Sequence, residues 1–162
     1  MIHPGKGLSA PTRRFGLSAV LAVLPLLALA ALPGCASVDR ITLSSSARLN
    51  SCGGADGHPV VLRIYYLRGT SKFARAPFEE LWENDLAVLG DDKIRVREET
   101  LNPAQEISLQ LDRGGDAKEA SAIGIVANFC EPGEGCNRRL IPIAGRKTDV
   151  RIHADEGCLS ID

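Results

Sequence analysis

The sequence predicts an all-β domain: an antiparallel β-sandwich with one inserted helical element. Three observations lead there. Ile94/Val96, Ile107/Leu109/Leu111 and Val150/Ile152 alternate strictly with polar neighbours, the period-two pattern of half-buried strands. Val60–Leu67 and Ala120–Cys130 are almost continuously apolar, as central strands covered on both faces are. Only one segment has helical spacing, and many short strands joined by Gly- and Pro-rich turns favour a sandwich.

The chain opens on a leader. Lys6, Arg13 and Arg14 precede Phe15–Leu32, a stretch without a single charge, which is the basic n-region and apolar h-region of a signal peptide. Such a stretch approaches the ~17–25 residues that span a bilayer, but Pro25 and Pro33 interrupt it. It ends in Leu32-Pro33-Gly34-Cys35, which resembles the bacterial lipobox. That resemblance implies that residues 1–34 are cleaved, that Cys35 is acylated, and that residues 35–40 tether a domain of residues 41–162. Several acyl chains, at about 0.8 kcal/mol per buried methylene, hold where one does not. Ala36 stands where Asp often signals inner-membrane retention, which directs the protein to the outer membrane, facing the periplasm.

The remaining 128 residues suit one domain. They carry sixteen basic and twenty acidic residues, a net −4, which argues against nucleic acid or anionic lipid as a partner of the folded part. With Cys35 acylated, four cysteines are left, and an even number in an oxidising compartment reads as two disulfides. Cys130 and Cys136 flank the turn Glu131-Pro132-Gly133-Glu134-Gly135, so a local Cys130–Cys136 bridge is expected, leaving Cys52 to pair with Cys158. A four-cysteine zinc site lacks the Cys-x-x-Cys knuckles it needs, and no metal is expected.

Ile41–Leu49 alternates weakly and fits an edge strand, as does Arg138–Ile143. Phe78, Leu81, Trp82, Leu86 and Leu89 recur at helical spacing between Pro77 and Gly90, with Glu79 and Glu80 favourably placed in the first turn. This predicts one amphipathic helix of about three turns, with Phe78 and Trp82 clamping it on the sandwich.

No catalytic residues stand out. His58 lies in a Gly-rich loop and His153 on the polar phase of its strand, Asp91-Asp92 reads as a solvated turn, and Gly53, Gly54 and Gly57 lack the Lys-Ser/Thr of a phosphate loop. The chain is therefore expected not to be an enzyme and to bind no cofactor beyond the lipid at Cys35. The loop Asn50–Pro59 is different, being long for a hairpin, rich in glycine and pinned by Cys52. A preorganised loop loses less entropy on binding.

Leu49-Asn50, then Gly57-His58-Pro59-Val60-Val61-Leu62-Arg63-Ile64-Tyr65-Tyr66-Leu67, resembles the type VI secretion lipoproteins called TssJ (SciN-like). Phe73, Phe78-x-x-Leu81, Asp85, Leu89-Gly90, Leu101-Asn102-Pro103 and Ile123-Gly124-Ile125-Val126-Ala127 continue the match in order. Phe129-Cys130 and Asn137-Arg138 depart from the family pattern, so the cysteines look like a local elaboration. The resemblance implies a transthyretin-like sandwich acting as the outer-membrane component of the secretion membrane complex. Its implied partner is the periplasmic C-terminal domain of the inner-membrane protein TssM, in a complex that also contains TssL. The contact is implied for the loop between the first two strands, here Ser51, Cys52, Gly53, Gly54, Ala55, Asp56, Gly57, His58 and Pro59. The competing reading is a periplasm-facing lipoprotein that binds a small ligand inside the sandwich, which requires an apolar cavity with converging polar groups.

Overall fold

A computed structural model describes residues 38–143 and 147–162; the leader and Cys35 lie outside the described residues. Eight strands run in chain order: β1 (Val38–Ser45), β2 (Val60–Leu67), β3 (Lys93–Leu101), β4 (Glu106–Asp112), β5 (Ala122–Ala127), β6 (Arg138–Pro142), β7 (Asp149–Ala154) and β8 (Leu159–Ile161). They form two four-stranded sheets, β4-β1-β7-β8 and β3-β2-β5-β6. Ile41, Leu43, Leu109, Leu111 and Ile152 of the first sheet meet Leu62, Ile64, Ile123, Ile125 and Ile141 of the second in one core.

The sandwich is as expected, with three differences in its first sheet. The β1–β7 ladder is parallel (Ile41 opposite Val150, Leu43 opposite Ile152), whereas the other ladders are antiparallel. β1 is not an edge strand: β4 and β7 flank it. Its weak alternation reflects polar residues buried for a reason. Asp39, expected in the tether, lies within the strand and is fully buried, paired with Arg113 at 2.8 Å. The Asp39 carboxylate also accepts a hydrogen bond from the Thr148 amide at 2.8 Å, and the Tyr66 hydroxyl beside it donates to the Leu111 carbonyl at 3.0 Å.

The central strands of the second sheet, β2 and β5, are covered on both faces, which explains their continuously apolar sequences. Leu62, Ile64 and Tyr66 of β2 face the sandwich core, while Tyr65 and Leu67 face a second cluster built under the helices. An unexpected helix, α1 (Ser71–Arg75), comes first, and the expected single helix is two short ones, α2 (Phe78–Glu83) and α3 (Asp85–Leu89). Pro77 ends the first run, and Asn84, at φ −144° and ψ 53°, breaks the second. The break turns Leu86 outward to 65 % exposure, although the helical spacing aimed it at the core. Phe78 and Trp82 do pack on the sheet as expected.

Gly124 shows what docks the helices. A Cβ there would stand 2.7 Å from the tip of the Phe73 ring and 2.8 Å from Leu67, so only glycine lets that ring approach β5 this closely. Arg138 of β6 then donates to the carbonyls of Phe73 (2.7 Å) and Ala76 (2.9 Å), satisfying the end of α1. Burial lowers the Arg138 pKa below its usual value. Arg63 spans from Glu98, at 2.6 Å, to the face of Trp82, 4.2 Å from the ring centroid.

Tyr65 is fully buried here, and among the described residues no group meets its hydroxyl at good hydrogen-bond geometry, Asp85 and Arg63 being the charged groups close enough to act on it. Burial, reinforced by the Asp85 charge, pushes its pKa up to about 12. A raised folded-state pKa means stability that is complete below the ordinary tyrosine value of about 10 and lost as pH climbs through the folded value. The domain should therefore weaken between about pH 10 and about 12. Tyr65→Phe should leave the melting temperature at pH 7 equal or higher and make the alkaline loss shallower, as read by thermal melts across that range. An unchanged alkaline slope would remove Tyr65 as its source.

Candidate docking surface

All the chain reversals of one kind gather at one end of the sandwich. β1, β3, β5 and β7 end there, β2, β4, β6 and β8 begin there, and Val38 lies at the opposite end. The β3–β4 turn, an uncharged stretch of residues 102–105, borders the β1–β2 loop where Pro103 approaches Gly57. The β1–β2 loop, the β5–β6 hairpin and the β7–β8 turn are thus neighbours.

The β1–β2 loop is shaped from its base. Leu49 is fully buried in the core and holds the loop down. Asn50 adopts a left-handed φ of 50°, a region its side chain tolerates. Its amide nitrogen donates to the Pro59 carbonyl at 3.2 Å, and its carbonyl oxygen accepts from the Cys130 amide at 2.9 Å. One side chain thereby closes the loop neck and ties it to the hairpin. The His58 amide donates to the Leu49 carbonyl at 2.7 Å, and the Gly54 amide donates to the Ser51 carbonyl at 2.8 Å. Gly57 passes so close to the Ala47 carbonyl that a Cβ would come within 2.3 Å. Of the nine loop residues, Cys52 through Asp56 together with His58 and Pro59 are exposed, Gly57 is half-buried, and Ser51 is buried within the neck.

The disulfides differ from the expected pairing. The bonds are Cys52–Cys130 and Cys136–Cys158, not Cys130–Cys136 and Cys52–Cys158. Strand order is the reason. β2 and β5 are neighbours, and the Asn128 amide bonds the Val61 carbonyl at 3.0 Å, so Cys130 emerges beside the loop that precedes β2. β6 lies against β8, with the Leu159 amide on the Cys136 carbonyl at 2.9 Å, which delivers Cys158 to Cys136. The hairpin is bonded outward on both sides rather than across itself.

The three loops meet closely. Gly157 lies under the Glu131 carbonyl, where a Cβ would be 2.3 Å away, and a cleft of about 300 Å³ is lined by Ser51, Gly53, Glu131, Gly133 and Gly157 among others. Arg48 pairs with Glu156 at 2.6 Å across the cleft, an exposed pair worth little by itself. The sequence reading passed over Asn50 as a brace and over the hairpin as part of this surface. The signal it had was the pair of cysteines flanking the turn.

The residues considered for chemistry are apart. His153 is half-buried and 3.0 Å from the Ser44 hydroxyl, His58 is exposed, and Asp92 approaches Lys72 at 3.7 Å. Among the described residues no group of three or more His, Cys, Asp or Glu is placed to hold a metal ion.

The fold resembles solved structures along most of its length. The T6SS lipoprotein TssJ1 from Pseudomonas aeruginosa matches with a TM-score of 0.70 at 23% identity, over 78% of this chain and 95% of that one. Lip from Serratia marcescens, a membrane-bound component of the type VI secretion system, matches with a TM-score of 0.69 at 20% identity, over 78% and 97%. A chain of a structure described as the C-terminal domain of the T6SS protein TssM, from EAEC, matches with a TM-score of 0.66 at 19% identity, over 77% and 97%. No curated protein matches in sequence. The profile of the T6SS-SciN family spans residues 37–157, most of the chain, and by that match the protein belongs to the type VI secretion lipoproteins, the family of VasD, EvfM and TssJ.

Proposed function

We propose that the protein is a non-catalytic, outer-membrane component of a type VI secretion membrane complex. It is acylated at Cys35, faces the periplasm, and grips the periplasmic C-terminal domain of TssM with the loop Ser51–Pro59, within a complex that also contains TssL. The observation that carries this reading is the polarity of the sandwich. The strand that follows the tether begins at one end, and the braced, exposed β1–β2 loop projects from the other. The strand nearest Cys35 in sequence therefore starts at the end opposite to the loop that this reading offers to a partner. The family membership supports it, as do the similar chains in a structure described by the TssM C-terminal domain and in one described as a type VI membrane complex.

The small-ligand alternative finds little support. The cleft between the β3 and β4 edges, lined by Ile64, Tyr66 and Leu111, holds about 240 Å³. That is below the ~300–1,000 Å³ of ordinary ligand sites. The two arginines at its mouth, Arg95 and Arg97, are already engaged by Asp116 and Glu99.

The deciding experiment is calorimetric titration of residues 36–162 with the periplasmic C-terminal domain of the TssM encoded beside it. One-to-one saturable binding is expected, and removal of Gly53–Gly57 should weaken it while the melting temperature barely moves. No binding by oxidised, folded protein would end this reading. For the anchor, Cys35→Ser should move the protein from the membrane to the soluble fraction; retention in the membrane would argue for an uncleaved leader instead.

A further inference from the structure

We propose that the docking surface is a platform of three loops rather than the β1–β2 loop alone, and that it takes a partner with a basic face. This rests on the loop reading above and names the extent and chemistry of the same site.

Size is the first argument. A stable protein interface engages about 20–30 residues on each side and buries roughly 800 Å² per partner. The loop Ser51–Pro59 supplies nine residues, one buried and three of them glycines without side chains. The hairpin residues 128–137 add nine at the surface, Phe129 being in the core, and the turn residues 155–158 add four, which brings the surface to the lower end of the required range.

Continuity is the second. The three loops are one body. Cys52–Cys130 joins the first to the hairpin, and Cys136–Cys158 joins the hairpin to the turn. Asn50 bridges the first junction a second time through the Cys130 amide. The Glu131 carboxylate lies 3.5 Å from where a Gly53 Cβ would be, and the Glu131 carbonyl caps Gly157, so a partner seated on the loop also meets the hairpin. Both covalent ties are outside the sandwich core. Their effect is to fix the mutual placement of the loops before any partner arrives, and so to lower the entropy lost on binding.

Charge is the third. The three loops carry Asp56, Glu131, Glu134, Asp155 and Glu156, all exposed, and neither lysine nor arginine. Two arginines lie beside them: Arg48 pairs with Glu156 at 2.6 Å, and the half-buried Arg139 donates to the Gly135 carbonyl at 2.8 Å, so the exposed charge of the loops themselves is acidic. A surface of one sign selects a complementary partner and steers its approach, and juxtaposed like charges are strongly disfavoured.

The test uses the detergent-solubilised mature protein and the TssM periplasmic domain, titrated at low and at moderate salt. Glu131→Arg/Glu134→Arg should weaken binding about tenfold or more, with a melting temperature close to that of the unchanged protein. Glu79→Arg/Glu83→Arg on α2, an equal charge change away from the platform, should leave affinity unchanged. Glu134→Arg alone, at the hairpin tip, serves if the double variant folds poorly, and binding should weaken as salt rises. If the unchanged protein binds and the hairpin variants bind equally well, or if the α2 variant weakens binding as much, the platform is wrong and the loop reading stands. If the unchanged protein does not bind at all, the loop reading itself fails and the platform with it.

Discussion

Asp39→Ala should lower the stability of the domain by about 3–5 kcal/mol, the range found when one partner of a buried ion pair is removed. Asp39 is fully buried and Arg113 is 6 % exposed, with their charged groups 2.8 Å apart. Deleting the carboxylate leaves a guanidinium with little access to water, strips the Thr148 amide of its acceptor, and opens a void beside Tyr66. For a domain of this size the loss corresponds to a fall in melting temperature of roughly 10–20 °C. Calorimetry would show it. A fall of only a degree or two would mean that water reaches the pair, and that the end of the sandwich where β1 begins is open. The location matters, because Asp39 is the second residue of β1, close in sequence to Cys35, where lipidation is proposed. Replacing both partners by apolar residues of similar volume should cost far less, since no buried guanidinium is then left facing a lost carboxylate.

Removing the Cys52–Cys130 bond by Cys52→Ser/Cys130→Ser should cost about 4–5 kcal/mol, and removing Cys136–Cys158 about 3–4. The difference follows from the closed loops, 78 and 22 residues long, whose freedom returns to the unfolded chain. Neither bond reaches into the core cluster, so circular dichroism of both variants at moderate temperature should remain that of the folded sandwich. Denaturant titration would give the two costs. The reverse order would show that native-state effects outweigh chain entropy. Peptide mapping of the unreduced protein should recover the 52–130 and 136–158 pairs, and recovery of a 130–136 peptide would contradict the strand order drawn here.

The sequence was most legible where burial is periodic. Ile107, Leu109 and Leu111 alternate because one face of β4 meets the core and the other meets water. Val60–Leu67 and Ala122–Ala127 lack alternation because sandwich and helices cover both faces. The helical segment was half legible. Its apolar spacing located the right residues, but one residue, Asn84, divides it, and no periodicity registers a single non-helical φ/ψ pair. The run Ser71–Arg75 escaped because only Phe73 in it is buried.

By itself the sequence determined the class of fold, and it carried the lipobox-like Leu32-Pro33-Gly34-Cys35 and the glycine-rich β1–β2 loop for which lipidation and recognition are proposed. These rest on local chemistry: alternation, an uncharged run before a cysteine, glycines that permit close turns. Tertiary structure alone decided which cysteines pair, that β1 is central and parallel to β7, and that the hairpin joins the loop in one surface. Each depends on which strands lie side by side, and that choice is made by packing two sheets and their helices together. Residues as far apart as Asn50 and Cys130, or Asp39 and Arg113, carry no mark in the chain of meeting in the fold.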